Sequence, residues 1–371
     1  MFRILYFFVK GTGVSMKKRG LVLIIYLALM LGLAACSDKK EQTNEADVTE
    51  DKIQIGLSFD SFVIERWQRD RDVFVFTAEE LGAEVNVQNA NGDVQKQISQ
   101  IEYFIKKEMD VIVVIAVDSE ACSEVLKKAK DAGIIIIAYD RLLRNSDADL
   151  YISFDNEEVG RLMAQTLVEH IEDDGTIIAI FGPTTDNNVQ LVEQGFQDVM
   201  ADSKLKVIYS VNAVNWTAEV GYDAVNEALK LTEEIDGVFC GNDNLATEAV
   251  RALSENRMAG NVIVTGQDAE LAACQRIVEG TQTMTVYKPV DKLAKVAAEY
   301  AVKMAKGIEV NVEAKIFDGS KDVPYVKLEP IAVTKENIDD IIIDGGFQSR
   351  EEVYLNVPSG QKDESNSSNL P

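Results

Sequence analysis

Short β-branched runs alternate with amphipathic stretches of roughly 12 to 20 residues along most of the chain, and the alternation occurs in two series. The runs place strands at Lys52–Ser58, Glu84–Asn89, Val111–Ile115, Ile134–Tyr139, Thr176–Phe181, Lys206–Val211, Gly237–Cys240 and Val262–Thr265. Helical periodicity falls on Asp93–Lys107, Ser119–Ala132, Glu157–Ile171, Thr217–Leu231, Asn244–Glu255 and Leu293–Ala305. Val111–Ile115 and Ile134–Ile137 are continuously apolar, as strands buried on both faces must be. Strand–helix alternation of this kind implies parallel sheets with helices on both faces. One series runs to about Asp155 and a second begins with the helix after Asn156. Two similar doubly wound α/β lobes are therefore expected.

In open α/β sheets ligands sit beyond the carboxyl ends of the strands, so a cleft between such lobes is lined by residues just after strands. Those positions hold Asp60 and Glu65-Arg66-Trp67-Gln68-Arg69, then Asp140-Arg141, Asp186-Asn187-Asn188 and Asn215-Trp216. Asn242-Asp243 and Gln267-Asp268 follow, and a further strand at Thr283–Val286 leads into Tyr287-Lys288-Pro289. Planar carboxylate, amide and guanidinium groups can each engage two adjacent hydroxyls of a sugar. The C–H face of a pyranose packs on an aromatic ring, and Trp67 and Trp216 are the chain's two tryptophans. Singly, Asp140 or Asp268 would suit a helix cap, Trp216 a core position, and Arg66 with Arg69 a solvated helix face. Their recurrence at the mouths of seven strands favours one ligand site for a neutral polar ring, in a hinged cleft that opens to water.

The N-terminal region bears on compartment. Lys17, Lys18 and Arg19 precede an apolar run, Leu21–Ala34, that is short for a membrane span but suits a secretion signal. It ends in Leu33-Ala34-Ala35-Cys36, which has the form of a bacterial lipobox, with Cys36 the lipidated first residue of the mature protein. A signal-anchor that stays attached is the alternative, and Met16 is an alternative start. The polar, acidic stretch 37–51 reads as a flexible tether and the tail 356–371 as disordered.

Between these ends lie roughly 300 residues, enough for two domains. A formal net charge of −25 argues against binding nucleic acid or an anionic membrane face. Cys122, Cys240 and Cys274 are widely spaced and read as buried thiols, neither a disulfide framework nor a zinc pattern. His170 is the single histidine, and no nucleophile elbow accompanies it, so catalysis is poorly supported. No Ca²⁺ loop or histidine cluster appears, and Gly56 is followed by Leu57-Ser58-Phe59 instead of a dinucleotide fingerprint. No metal and no cofactor are expected.

The segments Ile64-Glu65-Arg66-Trp67-Gln68, Ala138-Tyr139-Asp140-Arg141, Tyr151-Ile152-Ser153-Phe154-Asp155-Asn156, Gly266-Gln267-Asp268-Ala269 and Thr281 to Pro289 carry a resemblance. Over about Lys52–Tyr354 the chain resembles type I periplasmic binding proteins for sugars, and more narrowly the D-xylose-binding proteins of xylose ABC transporters. The resemblance implies a three-crossover hinge near Asp155–Asn156, Val286–Tyr287 and Val312–Ala314. The first lobe would then comprise 52–155 plus about 287–312, and the second 156–286 plus about 313–355. It further implies that Asp140 with Arg141, and Asn242 with Asp268, hold the ring hydroxyls. Asn188 would add an amide from the second lobe, with Asn187 as a substitute. Arg66 and Lys288, with Arg69, would complete the polar shell, Trp216 would stack on one sugar face and Trp67 on the other. The surroundings of Asn215-Trp216-Thr217 depart from the family pattern, which leaves the stacking position open.

Two functions fit that resemblance: a monomeric, lipid-anchored receptor delivering a monosaccharide, D-xylose foremost, to ABC permease subunits, or a subunit that reports the sugar to a membrane sensor kinase. Closure stabilised by the ligand serves either. A sugar-responsive regulator of transcription would need a basic helix-turn-helix ahead of the first lobe, where this chain has an acidic stretch.

Overall fold

The computed structural model describes residues 52–232 and 234–357. The expected signal segment, Cys36, the tether and the tail from 358 onward lie outside the described residues.

The first series forms β1 (Gln54–Phe59), α1 (Arg66–Glu80), β2 (Glu84–Asn89), α2 (Val94–Lys106), β3 (Val111–Val114), α3 (Ser123–Asp131), β4 (Ile135–Tyr139) and β5 (Leu150–Phe154). All of β3 and β5 is buried, as is β4 beyond its first residue, because helices cover both faces of this sheet. Some helices start at a side-chain cap: the Asp93 carboxylate accepts the amides of Gln95 and Lys96 at the head of α2.

The second series comprises α4 (Asn156–His170), β6 (Thr176–Phe181), α5 (Asn187–Met200), β7 (Lys206–Asn212), a 3₁₀ turn (Val214–Trp216), α6 (Glu219–Ala228) and β8 (Gly237–Cys240). It continues through α7 (Asp243–Glu255), β9 (Ile263–Gln267), α8 (Leu271–Glu279) and β10 (Met284–Tyr287). Helix α9 (Val290–Ala305) then returns to the first lobe and packs Leu293, Ala297 and Ala301 beside Phe74 of α1 and the strands of that sheet. Strands β11 (Lys315–Phe317) and β12 (Asp322–Leu328) precede β13 (Ile331–Thr334), a π-helical turn (Asp339–Ile343) and α10 (Arg350–Val353).

The first sheet has seven strands in the order β11-β12-β5-β4-β3-β1-β2, and the second six in the order β13-β10-β9-β8-β6-β7. All pairings are parallel except β11 with β12 and β10 with β13. The chain thus builds the two doubly wound lobes expected from the alternation, joined by the three crossovers that the resemblance implies.

The third crossover does not lie at Val312–Ala314. Residues 315–328, expected in the second lobe, extend the first sheet, with β12 parallel to β5 from Tyr325↔Tyr151 to Leu328↔Phe154. The exchange falls at Glu329–Pro330, where proline, lacking an amide hydrogen, cannot prolong the β12 ladder. The other two crossings fall between β5 and α4 and, at Lys288–Pro289, between β10 and α9. Asn356 and Val357, expected in a disordered tail, still belong to the fold: Asn356 Nδ2 donates to Glu279 Oε1 at 2.8 Å and the Val357 amide to Tyr354 O at 3.2 Å.

Helices α4 and α5 touch backbone to backbone through two glycines. A Cβ on Gly160 would stand 1.9 Å from Val192 O, and one on Gly195 would stand 1.9 Å from Glu157 O. Gly195→Ala is expected to force the helices apart and lower stability by about 1–3 kcal/mol, the usual range for overpacking. Urea denaturation measures it, and an unchanged midpoint would refute the close crossing.

Candidate functional site

The carboxyl ends of both sets of strands face one cavity between the lobes. Arg66, Trp67, Asp140, Arg141, Asn188, Trp216, Asp268 and Lys288 line it, as the sequence predicted, joined by Asn156, Asp186, Gly241 and Gln267. Three expected site residues do not. Arg69 is turned outward, its Nε and Nη2 donating to Asp291 at 2.6 and 2.7 Å and its Nη1 to Phe347 O at 3.0 Å. Asn187 accepts from Arg144 Nη1 at 3.2 Å outside the cavity. Asn242 stands just behind Gly241, where its Oδ1 caps α7 by accepting the Leu245 amide at 2.9 Å.

At the centre is Arg66. It is 4% exposed, donates through Nη2 to Asp140 at 2.8 Å, and lies 3.9 Å from Asp268. Asp70, one helical turn on, accepts from its Nε and Nη2 at 3.2 and 3.1 Å, and Tyr139 donates its hydroxyl to Asp70. The helix spacing of four residues puts both charges on the inward face of α1. Burial pushes the Asp70 carboxyl up in spite of Arg66. For Asp140 burial acts in the same direction, but Arg66, Lys288 and Arg141 together hold its carboxyl below the ordinary value.

Side chains from the two lobes meet across this cavity. Asn188 Nδ2 donates to Asp140 O at 3.0 Å and to its Oδ1 at 3.2 Å. Arg141 Nε lies 2.7 Å from Asp186 Oδ2 while its Nη1 donates to Asp60 at 2.7 Å and to Ala116 O at 2.8 Å. Outside the cavity the Ser119 amide donates to Thr185 O at 3.1 Å. The lobes are closed on each other.

Trp216 reaches from the second lobe to pack on the apolar cores of both, and its Nε1 donates to Asp186 at 3.3 Å. Gly182 makes room for it: a Cβ there would stand 2.3 Å from the indole ring. Trp67 is 2% exposed and sits edge-on to Phe59, with the Arg66 guanidinium 4.4 Å from its ring centroid. Several of these residues hold backbone conformations that L side chains rarely adopt: φ is 61° at Asp140, 57° at Trp216 and 97° at Asp268. Such strain persists where a site over-determines the backbone.

Three polar atoms of lining residues have no hydrogen-bond partner among the described residues: Trp67 Nε1, Gln267 Oε1 and Asp268 Oδ1. Lys288 Nζ lies 3.2 Å from Asp268 Oδ1, as an ion pair without hydrogen-bond geometry. A buried group left unpaired costs about 1–3 kcal/mol, so these atoms favour a polar molecule that can pair with them. Asp243, in contrast, is structural. It accepts Gln282 Nε2 at 2.8 Å, Thr285 Oγ1 at 2.8 Å and the Glu270 amide at 3.1 Å.

Gln267 and Asp186 were named among the residues that follow strands but not carried into the expected ligand shell, and Asn156 was placed only at the hinge. Gln267 and Asp186 carried the signal of following a strand; Asn156, which opens a helix at the hinge, did not.

Glu270, beside this network, accepts Asn244 Nδ2 at 2.9 Å. Burial first, then Asp243, Asp268 and Glu65, push its carboxyl up to about 9, with Arg276 opposing. The folded state therefore holds this proton more tightly than the unfolded one. The stability it contributes is complete below the ordinary 4.5 and is lost as pH rises to about 9. Glu270→Gln is expected to flatten the fall of the denaturation midpoint between about pH 5 and 9. An equally steep fall in the variant would assign the slope to other groups.

Among the described residues no helix is long and apolar enough to cross a membrane, and no cluster of His, Cys, Asp or Glu could hold a metal ion. Cys122, Cys240 and Cys274 are buried and unpaired, with burial raising all three thiols.

Two doubly wound lobes closed on a strained, buried set of paired ions, amides and an indole define a binding protein that traps a small polar ligand. Residues 55–309 match the sequence profile described as "Periplasmic binding protein domain", and the chain belongs to that family of binding proteins, not to an enzyme family. It is 45% identical to the D-xylose-binding periplasmic protein of Haemophilus influenzae, over 81% of this chain and 92% of that one. It is 41% identical to the D-xylose-binding periplasmic protein of Escherichia coli K12, over 91% of this chain and 100% of that one. Among solved structures, an ABC transporter solute-binding protein from Clostridium phytofermentans with bound β-D-glucose superposes with a TM-score of 0.75. The match is at 27% identity and covers 81% of this chain and 99% of the other.

Proposed function

We propose that this chain is a D-xylose receptor that delivers its sugar to the permease of an ABC importer. The observation that carries the reading is the cavity wall assembled from both lobes, in which Asp140 of one already meets Asn188 of the other. A sugar seated there stabilises the closed form by touching both. Asp140, Arg141, Asp268 and Lys288 would hold hydroxyls, with Arg66 and Asn188 completing the shell, and Trp216 would cover the C–H face of the ring. The likeness to two D-xylose-binding proteins supports the choice of sugar.

The sequence at Leu33–Cys36 adds a lipid anchor on the outer face of the cell membrane, with the monomeric receptor tethered by residues 37–51. Loss of the protein from the membrane fraction on Cys36→Ser tests the anchor. The closed lobes could equally be read by a membrane histidine kinase; a kinase gene beside this one, in place of permease and ATPase genes, would favour sensing over transport.

Calorimetric titration with xylose, ribose, arabinose, glucose and galactose tests the ligand. Tight binding of xylose with weak or absent binding of the rest supports the reading. Tight binding of another sugar in its place refutes xylose, and no heat with any sugar refutes a monosaccharide receptor.

A further inference from the structure

Gln267 is the last residue of β9, is 4% exposed, and lines the cavity beside Asp268. Its Nε2 donates to the carbonyl of Gly241, which ties the end of β9 to the turn that opens α7. That bond fixes the amide's orientation. Turning it over would set Oε1 against the Gly241 carbonyl, two acceptors with no hydrogen between them. The atom left over is therefore the oxygen, and Oε1 has no partner among the described residues.

The other acceptors at this cavity are differently placed. The Asp140 carboxylate already receives Arg66 and Asn188, and Asp268 lies within ion-pair distance of Lys288 and Arg66. Cations hold these carboxylates, so much of their capacity is occupied before a ligand arrives. Gln267 Oε1 is neutral, buried and free. A hydroxyl that points at it loses its hydrogen bond to water on entering and regains one. A ring carbon bearing hydrogen instead leaves the amide oxygen buried without a donor, and sites built to bind a hydroxyl reject analogues lacking it for that reason.

We infer that Gln267 is a specificity-determining residue of the cavity, its Oε1 accepting a hydrogen bond from one hydroxyl of the bound sugar and so discriminating against sugars deoxygenated at that position. The inference rests on the monosaccharide reading above and adds a residue and a selection rule to it.

The test is a double-mutant cycle on the full-length chain in detergent. Wild type, Gln267→Met and Gln267→Glu are each titrated with xylose and with the 1-, 2-, 3- and 4-deoxy analogues. In wild type each deletion carries its own penalty. In Gln267→Met, which keeps the volume and removes the acceptor, xylose is expected to bind about 10- to 100-fold more weakly, the range for a buried hydrogen bond. One of the four penalties disappears in that variant while the other three persist. Gln267→Glu keeps an acceptor and loses the bond to Gly241, so it retains all four penalties whatever its stability. Should Gln267→Met weaken every sugar by the same factor, the residue acts only by bracing Gly241 and the inference fails. Wild type that binds none of these sugars overturns the ligand reading itself, an outcome seen before any variant is compared.

Discussion

Asp140→Ala is expected to weaken xylose binding by about 1000-fold, because truncating a buried, hydrogen-bonded charge costs about 2–5 kcal/mol. Four groups depend on that carboxylate. Arg66 donates to it at 2.8 Å, Asn188 reaches it from the second lobe at 3.2 Å, and Lys288 and Arg141 contribute to holding it ionised. Removal leaves Arg66 held by Asp70 on its own helix, so the wall loses an acceptor and the guanidinium loses one of its two hydrogen-bonded carboxylates. Asp140 also sits at φ 61°, where alanine is more strained than aspartate, so some loss of stability accompanies the loss of affinity. Titration calorimetry reads the first and thermal denaturation the second. A loss under tenfold would remove Asp140 from the ligand shell.

Asp186→Ala is expected to weaken binding by about 100-fold, since part of a 2–5 kcal/mol buried-pair effect is recovered by water entering the open cleft. It is also expected to lower the stability of the sugar-free protein by about 1 kcal/mol, because Asp186 Oδ1 caps α5 by accepting the Asn188 amide at 3.0 Å. Asp186 comes from the second lobe and meets Arg141 of the first at 2.7 Å. Arg141 keeps Asp60 within its own lobe, so neither lobe is left with an unpaired charge when Asp186 is removed. Beyond the lost helix cap, the deficit falls on the closed state. It should appear in the dissociation rate, measured by stopped-flow fluorescence of Trp216, whose Nε1 donates to the same carboxylate. An unchanged dissociation rate would mean that the cross-lobe pair does not contribute to closure.

The fold was legible wherever burial followed a simple period. β3 and β4 lie between helix layers and read as unbroken apolar runs. α1 did not read as a helix, because Arg66 and Asp70 occupy its buried stripe while Phe76 is exposed. β12 carries Pro324, a residue that disfavours the interior of a strand, yet it sits between β5 and β11. Its lobe depends on pairing with a strand more than 170 residues earlier, which no local pattern encodes.

The site was legible by one rule, that ligands meet the ends of strands, and the rule found Asp140, Arg141, Asp268 and Lys288. It failed where neighbours compete. Arg66 and Arg69 follow the same strand, and the choice was made by Asp291, brought alongside by α9 from 222 positions away. Asn187 and Asn188 open one helix about 100° apart in phase, so only the docking of α5 decides which amide faces the cavity. Gln267 was passed over for the charged residue next to it.

The central claim is that the two lobes close on xylose, and small-angle X-ray scattering during a xylose titration tests it most directly. The account predicts that the radius of gyration contracts with added xylose, half-maximally at the calorimetric dissociation constant, and that Asp140→Ala stays extended at the same concentrations. Scattering that does not change as xylose binds, or contraction that Asp140→Ala shares, would contradict it.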